Sequence, residues 1–556
     1  MKVSLRSEDF MVIFCFREEK RRMKKFFWIS IMVILANLIL VGCAETVLTN
    51  EGQVERTQSK DTLVMAIGSE PEGGFDPCTG WGRYGSPLFQ STLIETDKNM
   101  NIVYDLAKNY EISDDGLTWT FTIRDDAYFT DGEKVTAEDV AFTFDTAKLS
   151  GSIVDLTNMK EVSAVNGFTV EFILEKPDTS FVYTVAAIGI VPKHAYGTDY
   201  GDSPIGSGPF KLLQWDKGQQ IIMEANENYY GKVPEIKKIT ILFMDEDAAF
   251  AAAKAGEIDV AMTNSNFADQ EIKGMNLVSL KSIDNRGLTL PYLKDEGRTD
   301  AEGNKIGNNV TSDIAIRRAL SYGINRDILV NDVINGYGRP AFTECDGMPW
   351  GSDEAIVEYD LDKAKSILEE AGWIDIDNDG IREKEGIKAE FNLLYSSSDA
   401  TRQALATAVS LQAEELGIKI TTEGTSWDVI SKRMFSEAVL MGWGAQNPME
   451  TYLLYHSDNM GKDYYNPEYF SSEKVDEYID RAMSTNNLDE SMEYWKKVQW
   501  DGTTGISTKG ECVWVWLVNV DHLYYVREGL NIGEQKIHPH GHAWPIVANL
   551  REWSWN

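Results

Sequence analysis

The apolar run 26–41 ends at Leu40-Val41-Gly42-Cys43 and follows the basic clusters Lys20-Arg21-Arg22 and Lys24-Lys25. Spanning a bilayer core takes about 20 apolar residues. This run is shorter and contains Ser30 and Asn37, so it reads as an export signal rather than a permanent anchor. The chain is thereby divided: residues 1–42 form a signal region cleaved before Cys43, and the remainder must fold as an exported body. Met23-Lys24-Lys25 is a better signal start than Met1, which leaves residues 1–22 without a structural role.

That body is too long for one core. Hydrophobic cores stop growing at about 250–300 residues, so 556 residues predict two or more domains, and 43% apolar content is ample to fill them. The net charge is −35; the segment before Cys43 holds eight Lys/Arg against four Asp/Glu, so the rest carries −39. Such a field repels nucleic acid and anionic lipid surfaces. Beyond Cys43 only Cys78, Cys345 and Cys512 remain, which match no zinc module and read as core thiols, or as one disulfide plus a free thiol. The motif ending at Cys43 resembles a bacterial lipoprotein signal, which implies lipidation of Cys43 and a body held by lipid at the outer face of the cell membrane or in the periplasm.

Residues 43–60 are polar and aperiodic, a flexible tether. From Thr62 the pattern alternates between extended and helical segments, the signature of an α/β fold. Strands are expected at 62–67, 258–262 and 418–422. Thr136-Ala-Glu-Asp139 opens a helix with Val140, Phe144 and Ala147 on one face. Further helices are expected at 248–255, 313–334, 360–371 and 401–416, several of them stopped by glycine, and a short one at 86–93.

Six ordered blocks then carry a resemblance: Gly116-Leu-Thr-Trp-Thr-Phe-Thr-Ile-Arg124, Phe129-Thr-Asp-Gly132, Thr136-Ala-Glu-Asp-Val140, Ile205-Gly-Ser-Gly-Pro-Phe210, Asn226-Glu-Asn-Tyr-Tyr230 and Ala255-Gly-Glu-Ile-Asp259. Ile316-Arg-Arg-Ala-Leu320, Ile324-Asn-Arg-Asp327 and Leu368-Glu-Glu-Ala-Gly-Trp373 continue it. In this order they resemble the peptide, dipeptide and nickel solute-binding proteins of ABC importers, solute-binding family 5. The resemblance implies a two-lobe, periplasmic-binding-protein-like α/β fold of the cluster C type around a cleft. Lobe I with an inserted subdomain is expected at 61–285, lobe II at 286–519, and a C-terminal return to lobe I at 520–556. Most block residues, such as Trp119, Phe121 and Phe129, alternate as buried strand residues and build scaffold.

Gly80-Trp-Gly-Arg-Tyr-Gly85 fits the letter of a dinucleotide fingerprint, but two prolines in 69–79 separate it from the strand and no acidic partner follows in a βαβ context. Its glycines instead bring backbone close to a ligand, with Trp81 and Tyr84 as walls and Arg83 as a bidentate carboxylate anchor. The alternative is packing for the two aromatics and a surface arginine. Trp443-Gly-Ala-Gln-Asn-Pro448 resembles the family's cleft segment, where peptide binders place an aspartate against the ligand's ammonium. Here Gln446 and Asn447 stand in that region and no acid precedes Pro448, and a neutral amide does not offset a desolvated ammonium. Nickel binders of the family hold a chelated metal with aromatics, arginine and a histidine on the next loop. His456 has such a position, the alternative being a capped, hydrogen-bonded histidine.

Three of the six histidines, His538, His540 and His542, share one side of an extended segment, an arrangement suited to Ni²⁺, Zn²⁺ or Cu²⁺. Pro539 and Gly541 favour a structural turn instead. Asp375, Asp377 and Asp379 followed by Gly380 match the start of a calcium loop, but Gly386 replaces the closing acid, so a turn competes with weak Ca²⁺ binding. No nucleophile elbow, HExxH or phosphate loop is present, and binding without catalysis is expected. The sequence reading is a monomeric receptor that captures a nickel or other metal chelate, or alternatively a di- or oligopeptide, and serves an ABC permease and its ATPase subunits.

Overall fold

A computed structural model of the protein describes residues 61–556 except 72, 84, 151–153 and 541–543. The signal, the tether and Cys43 lie outside the described residues, as do Tyr84 and His542. Two mixed sheets form the two lobes. In the first, seven strands run in the order Met275–Leu280, His522–Arg527, Val260–Thr263, Thr62–Ile67, Lys238–Phe243, Gln220–Ala225, Phe210–Asp216. Thr62–Ile67 is parallel to both its neighbours, and Met65, Ala66 and Ile67 are fully buried, as a strand covered on both faces requires. The second sheet runs Gly338–Pro340, Trp514–Val520, Asn285–Thr289, Ala438–Met441, Glu390–Ser396, Lys419–Thr425.

A separate antiparallel sheet, Ala107–Ile112, Thr118–Ile123, Thr169–Leu174 and Met159–Asn166, interrupts the first lobe. Trp119, Phe121 and Ile123 face the same side as Val170, Phe172 and Leu174, all buried, and helix Ala137–Leu149 covers them through Val140, Phe144 and Ala147. Phe144 meets Phe172 edge-on at 4.8 Å, a favoured aromatic geometry.

Helix starts follow their caps. The Asp139 carboxylate accepts both the N–H and the hydroxyl of Thr136, and Asp245, Asp313, Asp360 and Asp399 each accept a first-turn N–H. The single helix expected at 313–334 is divided. Ile314–Gly323 ends at an extended Ile324, and Asn325 starts a new turn by accepting from Ile328 N at 3.2 Å, because asparagine caps a helix better than it continues one. The stretch expected to be helical at 86–93 runs as bends. Pro87 interrupts it, Leu88 has a φ of 58°, and the Phe89 carbonyl accepts Gly208 N. Cys78, Cys345 and Cys512 are buried free thiols. No helix among the described residues is long and apolar enough to cross a membrane.

The chain passes between the two sheets at 281–284 and again at Asp521. The C-terminal return joins this crossing: Ile283 N donates to the His538 carbonyl and His538 N to that of Lys281, both at 2.8 Å.

Candidate functional site

Beside these crossovers lies a cleft of about 1510 Å³, larger than the usual 300–1,000 Å³ of small-molecule sites. Both lobes line it. The first contributes the glycine-rich loop, the hairpin strand Ile94–Thr96, part of the inserted subdomain and the C-terminal return; the second contributes residues 442–453 and the end of helix Glu473–Ser484.

The segment after strand Ala438–Met441 is held tightly against the first crossover. Trp443 N donates to Asn285 Oδ1 at 2.8 Å and Asn285 N to the Trp443 carbonyl at 3.1 Å. A Cβ on Gly444, whose φ is +145°, would sit 2.3 Å from the Ile283 carbonyl oxygen, so only glycine fits there. Trp443 stacks on Tyr465 at 5.0 Å, and both line the cleft. The Trp443 indole nitrogen is buried with no hydrogen-bond partner among the described residues.

Arg83, Gln446, Asn447 and His540 also line the cleft. Gln446 donates its amide to the Ile537 carbonyl, tying the second lobe to the C-terminal return. Asn447 Oδ1 accepts from Met449 N at 2.9 Å and so starts helix Met449–Tyr455. Trp81 stands behind the wall. Its indole donates to the Pro87 carbonyl at 2.8 Å, and its ring meets Phe75 and Trp544 edge-on, each at 4.9 Å.

The described candidate histidines occupy two separate places. His456 is buried in the second lobe behind the cleft residues Tyr452, Asp458 and Asp480. Its Nδ1 accepts from Asp458 N at 3.1 Å, and Nε2 lies 3.5 Å from Asp480 Oδ1. His538 and His540 sit at the crossovers. The His538 ring nitrogen Nδ1 is 3.1 Å from Nδ1 of His522, and His540 Nδ1 is 2.5 Å from Asp284 Oδ1. Pro539 between them breaks the period-two geometry that would turn the rings to one side.

The acidic hairpin is clamped from within. Lys388 Nζ bonds Asp377 at 3.0 Å and also Asp379, and Asp375 accepts Gly380 N at 3.0 Å. Asp375, Asp377 and Glu383 offer oxygens within 4.8 Å of one another.

The sequence reading missed Glu450, two residues past Pro448. This carboxylate lines the cleft and is only 7% exposed. One oxygen, Oε2, accepts from Gly444 N at 3.1 Å and Ala445 N at 3.0 Å; the other makes no hydrogen bond among the described residues. Burial outweighs those two bonds and pushes the pKa up to about 8, with the nearby Glu344 charge adding to the rise. No helix was expected at this point; in the structure Glu450 stands in the first turn of helix Met449–Tyr455, where an acid reaches back to preceding N–H groups.

Residues 101–507 match the family model described as bacterial extracellular solute-binding proteins, family 5 Middle. Protein XP55 of Streptomyces lividans is 30% identical over 489 residues, 85% of this chain and 86% of that one. The oligopeptide-binding protein AppA of Bacillus subtilis is 27% identical over 510 residues, covering 84% and 89% of the two chains. Among solved structures, NikZ from Campylobacter jejuni in complex with Ni(L-His) superposes with a TM-score of 0.71 at 26% identity, covering 89% of this chain and all of that one. A two-lobe cleft crossed twice by the chain and a family match over most of its length lead to one assignment: the chain belongs to the family 5 bacterial extracellular solute-binding proteins, which serve ABC importers.

Proposed function

We propose that the cleft captures an amine-bearing peptide, a di- or oligopeptide, and delivers it to an ABC permease without chemical turnover. The observation that carries this reading is Glu450, a buried carboxylate with one oxygen left for a ligand, two residues past the segment 443–448 that itself holds no acid. A ligand ammonium there would meet a charge-assisted acceptor already oriented by two backbone N–H groups. The volume of the cleft and the kinship with an oligopeptide-binding protein support the same reading. This reverses the order of the sequence expectation, because His456 lies behind the back wall while His538 and His540 lie at the crossovers, rather than all being gathered on one ligand.

A nickel chelate is the second reading, favoured by His456 behind the acidic wall and by the likeness to NikZ. Residues that would face a chelate are Trp443, Arg83 and His540, with His456 one layer behind. On either reading the receptor works by closure, since a solute touching both lobes binds the closed state better. Cys43 is proposed as its lipid attachment; a wild-type protein that stays with membranes but takes up no fatty-acid label would refute that part.

The ligand classes are separated by titrating a mixed peptide library, and separately nickel with free L-histidine, into the wild type and Glu450→Gln. Peptide capture that weakens about tenfold or more in the variant is the expected result. Nickel–histidine uptake by a wild type that ignores peptides would reject the peptide reading.

A further inference from the structure

Lys536 is a cleft cation that stays without an ion pair among the described residues when its neighbours are matched. Around it, Arg551 holds Glu95 through two bonds of 2.9 and 2.8 Å, and Lys98 pairs with Glu534. These pairs cancel locally. Lys536 donates to the hydroxyl of Thr96 at 3.3 Å, and no ion pair is formed with a carboxylate among the described residues. Lys536 and Thr96 both line the cleft. The chain has a net charge of −35, with 88 acidic residues against 53 basic ones, and Lys536 is less exposed than Lys176, a cleft lysine that also makes no ion pair among the described residues. Burial also pulls its pKa below the ordinary lysine value, despite the opposing charge of Glu95. An ammonium group partly stripped of water and given one neutral partner is costly to keep, and an incoming anion would relieve that cost.

The surroundings define the anion. Lys536 comes from the C-terminal return and Thr96 from the hairpin strand Ile94–Thr96, so both belong to the first lobe. The return is joined to the second lobe one residue further on, where Ile537 accepts from Gln446. Gln446 in turn adjoins Ala445, whose N–H bonds Glu450. An acceptor for a cation and a donor for an anion thus share one stretch of cleft, an arrangement complementary to a zwitterion.

We infer that Lys536 anchors the carboxylate of the bound solute, with the Thr96 hydroxyl as its companion donor. The assignment rests on the peptide-capture reading for the identity of that carboxylate, the C-terminus of a peptide, although a carboxylate-bearing chelator would offer the same group. Lys536 then works against Glu450: one takes the anionic end of the solute and the other its ammonium, which fixes the ligand's direction in the cleft.

Isothermal titration of wild type, Lys536→Met and Lys536→Arg with a mixed tripeptide library tests it, using the library once as free acids and once as C-terminal amides. The wild type should bind acids about tenfold or more tighter than amides, the value of a charge-assisted bond. Lys536→Met should lose that preference while binding amides as before, and Lys536→Arg should keep most of it. The ligand-free Met variant should melt no lower than the wild type, because it sheds a desolvated cation. A Met variant that keeps the acid preference overturns the assignment, and a lowered melting temperature alongside it marks a purely structural lysine. If the wild type captures neither acids nor amides, the peptide reading fails and nickel with free L-histidine decides Lys536: a tenfold loss in Lys536→Met upholds it, and equal affinity overturns it.

Discussion

Nδ1 of His540 lies 2.5 Å from Oδ1 of Asp284 and so fastens the C-terminal return to the first crossover between the lobes. The same carboxylate receives Arg286 NH1 at 2.5 Å and NH2 at 3.3 Å, and His522 Nε2 stands 3.7 Å away at the second crossover. Burial works against the charge on Asp284, but Arg286, His540 and His522 outweigh it and hold the carboxyl well below the usual range.

Asp284→Asn should therefore be among the more damaging single changes. It leaves the buried Arg286 guanidinium without its counter-ion, and removing one partner of such a pair costs about 3–5 kcal/mol. The checking measurement is calorimetric unfolding of the ligand-free protein. A loss below about 1 kcal/mol would mean that the crossover tolerates an uncompensated arginine, contrary to its burial.

His538 should make stability depend on pH. It is 1% exposed, and burial, then His522 and Lys536, push its pKa well below the ordinary value. The unfolded chain takes up a proton near pH 6.5 whereas the folded chain refuses it. Between the two values the unfolded state binds more protons, so stability is full above about pH 6.5 and falls as pH drops, by up to about 1.4 kcal/mol per unit. Melting temperatures recorded from pH 7.5 to 5 should fall less steeply for His538→Gln than for wild type; parallel curves would contradict the assignment.

Glu450 predicts a proton released on binding. With a pKa of about 8, most Glu450 side chains are protonated at neutral pH before ligand arrives. Because this value is raised, the empty protein loses stability as pH rises through the window from the ordinary carboxylate range to about 8. An ammonium ligand favours the ionised form, so its affinity should climb with pH up to about 8. Titrations near pH 7 in buffers of different ionisation enthalpy should show roughly one proton released per ligand, and none in Glu450→Gln. Equal release in both proteins would place the proton elsewhere.

What the sequence disclosed follows from how local each signal is. The alternation of Trp119 and Phe121 and the face formed by Val140, Phe144 and Ala147 are period signals, and they reappear as buried faces, whereas Phe129, expected in the same strand pattern, is buried outside any strand. Caps were equally readable, save that Asn325 divides a helix whose apolar pattern continues across it. Residues whose role depends on distant partners were not legible. Asp284 and His540 are 256 positions apart. Lys536 is notable only once its neighbours are seen to be paired. Trp81 was chosen for its type, but an indole that finds a backbone acceptor and two edge-on rings belongs to the core. Arg326 appeared in a family block without a stated task. It is buried on the carbonyls of Ala341, Trp516 and Ser321, a set drawn from three parts of the second lobe.

The lobes also touch away from the crossovers, and that contact should set how long a ligand stays. Thr179 of the first lobe donates its N–H to the Met483 carbonyl at 2.8 Å and its hydroxyl to the Thr485 carbonyl, at the end of helix Glu473–Ser484 in the second lobe. Asn486 Nδ2 reaches the Asp114 carbonyl at 3.4 Å beside them. These bonds join residues of opposite lobes, so they add stability to the closed state alone. Thr179→Val keeps the shape of the side chain but deletes the hydroxyl, removing about 1 kcal/mol of that preference. Closed-state affinity should fall by about fivefold, expressed mainly as faster release, because interface changes act chiefly on dissociation. Stopped-flow release of a captured peptide measures this directly, and small-angle scattering of the ligand-free variant should show a more open particle. Unchanged release with unchanged scattering would mean that the Thr179 contact does not help to hold the lobes together.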